Sequence, residues 1–281
     1  MAGKPLPFSL EQLRSIVEQY PTPFHLYDAG GIRRCIRGLQ AAFGWNPGFR
    51  EYFAVKATPT PGILALLRDL GCGMDCASMT ELMLCQRLGI TGDRIMFSSN
   101  DTPGEEYAYA RSLGAIINLD DLTHVPYLAA HGGIPQTVCC RYNPGHFSLD
   151  RNAIMGNLQD SKFGMTKDQL LEAFAMLKSM GAQRFGIHAM LISCSLDPAY
   201  FPVLLEDLLQ LALEARAYAG VEVSFIDLSG GVGIPYRPEE EPVDMEAVGV
   251  QVRKVYDRLA MPNGLSPRLY ICLLYTSDAA D

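Results

Sequence analysis

What most constrains the fold of this chain is an alternation. Short apolar runs recur between longer stretches with helical periodicity. The runs at 52–55, 73–75, 95–97, 115–118, 138–142, 185–188, 223–228 and 269–271 read as strands. Between them, 61–70, 79–88, 104–113, 122–130, 167–180, 200–219 and 245–259 read as helices. Strands that alternate with helices form parallel sheet, with the helices as crossovers. Eight such units suffice to close a barrel, so an α/β fold of the (β/α)8 TIM-like type is expected. Spacing alone leaves a doubly wound open sheet as the second possibility.

Local signals mark several helix starts. Ser78-Met79-Thr80-Glu81 has the Ser-x-x-Glu spacing of a capping box. Pro103 and Pro198 stand where a helix would begin. Two regions fall outside the repeat. Residues 1–50 carry helix patterns at 10–20 and 31–43 and an extended piece at 24–27 that lacks an evident partner. Residues 143–166 form a connection long enough to be functional or disordered. The barrel is expected over 51–271. Residues 272–281 do not continue the pattern and read as a non-native tail.

Composition excludes several classes. The formal net charge is −8 and there is no Lys/Arg run, so a nucleic-acid partner is not expected. No stretch approaches ~18 uninterrupted apolar residues, so no membrane partner is expected. The first residues lack the apolar core of a secretory signal. Cysteines at 35, 72, 76, 85, 139, 140, 194 and 272 form no C-x-x-C pair, and the five histidines show no metal spacing. Reduced thiols in a cytoplasmic protein without a metal site are the expectation.

Two features carry chemistry. Lys56 ends the first strand run, where a barrel gathers its functional groups. Alternation puts Ala54 and Lys56 on one face. There, partial desolvation would free the neutral amine for covalent catalysis. Position alone favours a surface lysine with its stem along apolar side chains. The second feature is Ser229-Gly230-Gly231-Val232-Gly233, directly after the seventh run. Glycines allow backbone N–H groups to approach a phosphate, and they equally allow a tight turn.

Set together, longer motifs resemble a known family. They are Thr22-Pro23-Phe24-His25-Leu26-Tyr27, Tyr52-Phe53-Ala54-Val55-Lys56-Ala57 and Gly73-Met74-Asp75-Cys76-Ala77-Ser78 with Glu81. Next come Arg141-Tyr142-Asn143-Pro144-Gly145, Asp160-Ser161-Lys162-Phe163-Gly164 and Asp227-Leu228-Ser229-Gly230-Gly231-Val232-Gly233-Ile234-Pro235-Tyr236. In this order they resemble the fold-type III pyridoxal-phosphate decarboxylases, the diaminopimelate decarboxylases most of all. The resemblance spans about residues 20 to 271.

That resemblance implies a barrel of the alanine racemase type and pyridoxal 5'-phosphate as cofactor. Lys56 would be the Schiff-base lysine. Gly230, Gly231 and Gly233 would hold the phosphate, with Ser229 in place of a common glycine. Asp75 and Arg141 would order the site, and Glu81 would either support Lys56 or cap its helix. An amino-acid substrate, a homodimer of the full-length protein and decarboxylation of meso-2,6-diaminopimelate to L-lysine are implied too. Arginine, ornithine and carboxynorspermidine decarboxylases, a racemase and a non-catalytic cofactor-binding homologue are the alternatives.

Two departures from the family pattern stand out. Where the family has His-x-His-Ile-Gly-Ser, this chain has His188-Ala189-Met190-Leu191-Ile192-Ser193. Met190 therefore falls at the ring-covering histidine, and Ser193 keeps the serine of the motif. A thioether packs on a ring but carries no charge. His188 would either compensate from one layer below or be a satisfied core histidine. Second, no Glu-Pro-Gly-Arg type motif follows Tyr270-Ile271, and most of the family's C-terminal β domain is missing from the sequence. Residues 1–50 would join that domain, with 24–27 as one of its strands, and the present chain is expected to be inactive alone.

Overall fold

Each of the eight apolar runs forms a strand, and the strands pair in parallel in chain order, the last with the first. The computed structural model describes residues 7–147, 161–237 and 239–273. The strands are β1 Arg50–Ala54, β2 Gly73–Cys76, β3 Ile95–Ser98, β4 Ile116–Leu119, β5 Thr137–Arg141, β6 Arg184–His188, β7 Val223–Asp227 and β8 Arg268–Leu273. The helices are α1 Leu10–Gln19, α2 Ala29–Phe43, α3 Pro61–Asp69, α4 Met79–Arg87, α5 Gly104–Ser112, α6 His124–His131, α7 Lys167–Ser179, α8 Tyr200–Ala219 and α9 Met245–Leu259. Closure excludes the open doubly wound sheet.

Seven crossover helices, α3 to α9, link the eight strands. The eighth place in the ring is taken by α2, which precedes β1 and packs on α9. On its other side, Gln40 Nε2 donates to the Leu70 carbonyl at 2.8 Å, tying α2 to the end of α3. Buried Asn46 locks the seam. Its Nδ2 donates to the Pro267 carbonyl at 3.2 Å and its Oδ1 accepts from the Leu269 amide at 2.8 Å.

Alternation along the strands separates two cores. Outward-facing residues such as Phe53, Phe97, Ile117 and Ile226 pack with the helices. Inside the barrel, Tyr52, Met96, Ile116, Cys139, Phe225 and Tyr270 form a smaller cluster. Tyr270 lies 5.2 Å from Tyr52 and 5.0 Å from Phe225, ring centroid to ring centroid. Two glycines make room for this filling. Gly73 pairs with Tyr52 across β1–β2, and Gly186 pairs with Phe225 across β6–β7. A Cβ at Gly73 would stand 2.5 Å from the Tyr52 ring, and one at Gly186 would run into the Phe225 ring. Small opposite large is how a narrow barrel fills without overlap.

Several local expectations are corrected. β1 stops at Ala54, and Lys56 sits in a one-turn 3-10 segment, Val55–Ala57. Strand alternation therefore does not set the direction of its side chain. Residues 24–27 form no strand. β8 runs through Cys272 and Leu273, which pair with Tyr52 and Phe53, two residues beyond the expected end of the barrel. Ser78 is an N-cap without a side-chain bond to the helix backbone, so the Ser78–Glu81 spacing does not make a full capping box. The reciprocal boxes are Ser9 with Gln12 at α1 and Thr166 with Gln169 at α7. Pro103 is the N-cap of α5, one step earlier than expected, and Pro198 precedes the N-cap Ala199 of α8, two steps earlier than expected. Of the long connection after β5, residues 148–160 lie outside the described residues.

Two predictions test this packing. Gly186→Ala is expected to destabilise by about 1–3 kcal/mol in urea unfolding. Gly62→Ala in α3, where an added Cβ meets nothing within 4 Å, is expected to be neutral or stabilising by up to ~1 kcal/mol. Equal effects at the two sites would contradict the barrel filling. Glu51, on the outward face of β1 and 2% exposed, accepts from the Cys72 thiol at 3.5 Å, and burial pushes its carboxyl up to about 8. A folded-state value above the ordinary 4.5 means stability is full below that pH and is lost as pH rises towards and through 8. Glu51→Gln should therefore gain stability relative to the parent chain across that window. A difference that stays constant with pH would show that Glu51 is not buried as described.

Candidate active site

The C-terminal ends of the strands carry one layer of polar side chains. Asp75 on β2, Ser98 on β3, Asn118 on β4, Arg141 on β5, His188 on β6, Asp227 on β7 and Cys272 on β8 make it up. The register aligns them. Ser98 stands opposite Asn118, Arg141 opposite His188, and His188 opposite Asp227. Below this layer the barrel is filled by apolar and aromatic groups, so the mouth is a polar floor over a dry plug.

Two carboxyls dominate its electrostatics. Loss of hydration pushes Asp75 up to about 6, opposed by a hydrogen bond from Ser98 and by the charges of Lys56 and Arg141. Asp227, 1% exposed, is pushed up to about 7 by burial, opposed by the Ser229 amide and raised further by Asp75. The two acids thus face one mouth and resist ionising together. Asn118 Nδ2 donates to Ser98 Oγ at 3.1 Å, which places Ser98 between Asn118 and Asp75. Lys56 is exposed at the rim, and its charge reaches both Asp75 and the Cys272 thiol.

Arg141 is held on three sides. Its Nη1 lies 2.9 Å from Asp120 Oδ1, with the two side chains 13% and 4% exposed. Its Nε donates to His188 Nδ1 at 3.3 Å, and its guanidinium lies 5.4 Å from the centre of the Phe163 ring. Asp120 directly follows β4, and the Gly164 backbone also bonds to it. The returning end of the long connection is therefore fastened to the floor, helped by pairing of Met165 with Tyr142. His188 is 5% exposed, and burial, then Arg141, holds it well below its ordinary value. Its neutral ring accepts at Nδ1 and so carries its proton on Nε2. It is a partnered histidine beneath Arg141. β6 ends at His188, so Met190, half-buried, lies in the loop beyond and not on a shared strand face. Ser193 is half-buried in the same loop, 3.8 Å from the Cys194 sulfur.

The loop after β7 interlocks with that loop. The Ser195 amide donates to the Gly231 carbonyl and the Gly233 amide to the Ser195 carbonyl, each at 2.8 Å. A Cβ on Gly231 would stand 2.6 Å from the Ile192 carbonyl, and one on Gly233 2.8 Å from that of Cys194. A Cβ on Gly230 would strike the Cys272 carbonyl. The glycines are thus needed for close approach of this loop to the end of β8 and to the loop after β6, a packing role that stands beside the phosphate and tight-turn readings of this motif. The amide of Ser229 donates to Asp227 Oδ1 at 2.8 Å, and that of Gly233 is also committed. The amides of Gly230, Gly231 and Val232 have no acceptor among the described residues. Three successive unpaired N–H groups at a barrel mouth suit a phosphate. Glu81 accepts from the Ala77 amide and the Ser78 hydroxyl, both at 2.9 Å, and so fastens the β2–α4 turn.

Sequence reasoning missed Asp120, Ser98 and Asn118, and gave Asp227 no role. The usable signal was the strand end itself, since a polar residue closes almost every strand run. Other hollows lack such convergence: one of about 470 Å³ lies between α2 and α9, and one of about 450 Å³ lies at the opposite end of the barrel. Among the described residues no three His, Cys, Asp or Glu side chains group as metal ligands, and no helix is long and apolar enough to cross a membrane.

Known proteins are similar to this chain. Protein TabA of Pseudomonas amygdali pv. tabaci is 37% identical over 257 residues, which is 92% of this chain and 60% of that protein. Diaminopimelate decarboxylase of Methanothermobacter thermautotrophicus is 31% identical over 92% of this chain and 60% of its own length. The chain thus spans about 60% of the length of these relatives. The structure of lysine decarboxylase from Selenomonas ruminantium superposes with a TM-score of 0.80 at 23% identity, over 98% of this chain and 69% of that one. That of Helicobacter pylori diaminopimelate decarboxylase complexed with L-lysine gives 0.79 at 24%, over 92% and 65%. These two likenesses bear on the fold. Residues 30–271 match the pyridoxal binding domain of the pyridoxal-dependent decarboxylases, and the chain belongs to that family.

Proposed function

We propose that this chain is the cofactor-binding part of an L-amino-acid α-decarboxylase acting on meso-2,6-diaminopimelate to give L-lysine and carbon dioxide. The observation that carries this reading is the convergence at one mouth of Lys56, Asp75 and the unpaired amides of Gly230, Gly231 and Val232. The several diaminopimelate decarboxylases among its relatives support the substrate.

Pyridoxal phosphate, when bound, supplies an electron sink for the pair left behind as carbon dioxide departs. The protein supplies orientation and charge. Lys56 is the side chain whose amine would hold the cofactor covalently. Asp75 stands within electrostatic reach of Lys56, whose charge favours its carboxylate against the rise that burial causes. The amides of Gly230, Gly231 and Val232 would donate to the phosphate, with Ser229 and Gly233 shaping the loop around them. Met190 and Ser193, in the loop after β6, would contact the cofactor from that side. Arg141, fixed by Asp120 and His188, lends a stationary positive charge, so His188 acts through Arg141. The full-length protein is read as a cytoplasmic homodimer whose missing β domain packs with residues 1–50 and completes the site. The chain of 281 residues is read as inactive.

The 37%-identical relative is not named as a decarboxylase, and Met190 departs from the family motif. Both favour, as the second reading, a sister decarboxylase with another amino-acid substrate.

The test is to complete the reading frame from its source DNA and measure carbon dioxide released from diaminopimelate, lysine, ornithine and arginine. Release from diaminopimelate is expected. Release from another of the four would establish the second reading, and release from none would overturn both. In the active full-length enzyme, Lys56→Ala should lower kcat at least about a thousandfold, since covalent attachment has no substitute in the mouth. A smaller loss would remove Lys56 from the chemistry.

A further inference from the structure

The phosphate loop depends on one backbone torsion. Ser229 has φ 54°, in the left-handed region, and among the described residues Cys194 is the other non-glycine residue so placed. A side chain there clashes with its own backbone, a conformation that glycine adopts without cost. Something must hold it. The Cys272 amide donates to the Ser229 carbonyl at 2.8 Å, and the Ser229 amide donates to Asp227 Oδ1 at 2.8 Å. Only the second of these bonds comes from a side chain, and Asp227 is too buried for water to take its place.

This bond decides which amides remain. The Ser229 N–H is turned back onto Asp227, and the three that follow have no acceptor among the described residues. Rotating Ser229 out of the left-handed region would move all three. We propose that Asp227 is a positioning residue for the cofactor phosphate: its carboxylate holds Ser229 left-handed and thereby sets the Gly230–Val232 amides as the cradle. This rests on the pyridoxal-phosphate reading. It also explains why a serine is tolerated here: the holding bond does what glycine's freedom does elsewhere.

The test compares two ligands that differ by one phosphate. The 281-residue chain is titrated with pyridoxal phosphate and with pyridoxal, following absorbance. Asp227→Ala should weaken pyridoxal phosphate about five- to a hundredfold, the range for leaving a buried donor without its acceptor. Pyridoxal should change less than about threefold. Asp227→Asn keeps an oxygen acceptor and should restore most of the affinity. Adding Ser229→Gly to Asp227→Ala should also restore it, because glycine needs no holder. Equal weakening of both ligands, no weakening, or no rescue by Ser229→Gly would overturn the proposal. Should Asp227→Ala not fold, amide exchange in the unsubstituted chain decides. Ser229 should be protected beforehand, and Gly230, Gly231 and Val232 should gain protection with pyridoxal phosphate and not with pyridoxal. Fast exchange at Ser229 would overturn the proposal. If the unsubstituted chain binds no pyridoxal phosphate, the cofactor reading falls and this one with it; a binding chain with unaffected variants leaves the cofactor reading standing.

Discussion

Everything at the mouth depends on the pairing of β8 with β1. Four register pairs join them, from Arg50–Tyr270 to Phe53–Leu273, and buried Asn46 fastens the start of β8 to the segment before β1. Closure brings Asp227 within electrostatic reach of Asp75, although their strands are β7 and β2. It also carries Cys272 to the loop after β7, where its amide holds the Ser229 carbonyl. An open sheet of the same strands would leave those groups at separate edges.

Closure dictates the filling beneath the floor. A ring of eight strands has little interior space, and tyrosine, phenylalanine and methionine side chains occupy it. Gly73 and Gly186 are the reliefs that let Tyr52 and Phe225 fit. A dry plug then denies water to the undersides of Asp75 and Asp227, which is why burial dominates the upward shift of both acids. Packing below thus sets charge above.

The barrel was legible in the sequence because buried parallel strands are continuous apolar runs, and all eight runs became strands. The extended piece at 24–27 forms no strand in this chain, because strand propensity without a neighbouring strand has nothing to pair with. Lys56 was found by motif, but alternation misplaced it, since the chain turns into a 3-10 segment right after Ala54. Met190 was misplaced likewise, two residues past the end of β6. Asp120 was invisible because its meaning lies in an ion pair with Arg141, and no linear pattern reports that partnership. Ser229 looked like a ligand, yet its amide is already taken, a fact visible only once Asp227 is seen beside it.

The central claim is that this barrel carries pyridoxal phosphate on Lys56. It is tested most directly by incubating the chain with the cofactor, reducing with borohydride, and locating the modification by peptide mass spectrometry. The account predicts one pyridoxyl-phosphate group per chain, on the peptide containing Lys56, and none after Lys56→Ala. Labelling spread over the other lysines, or no labelling at all, would contradict it.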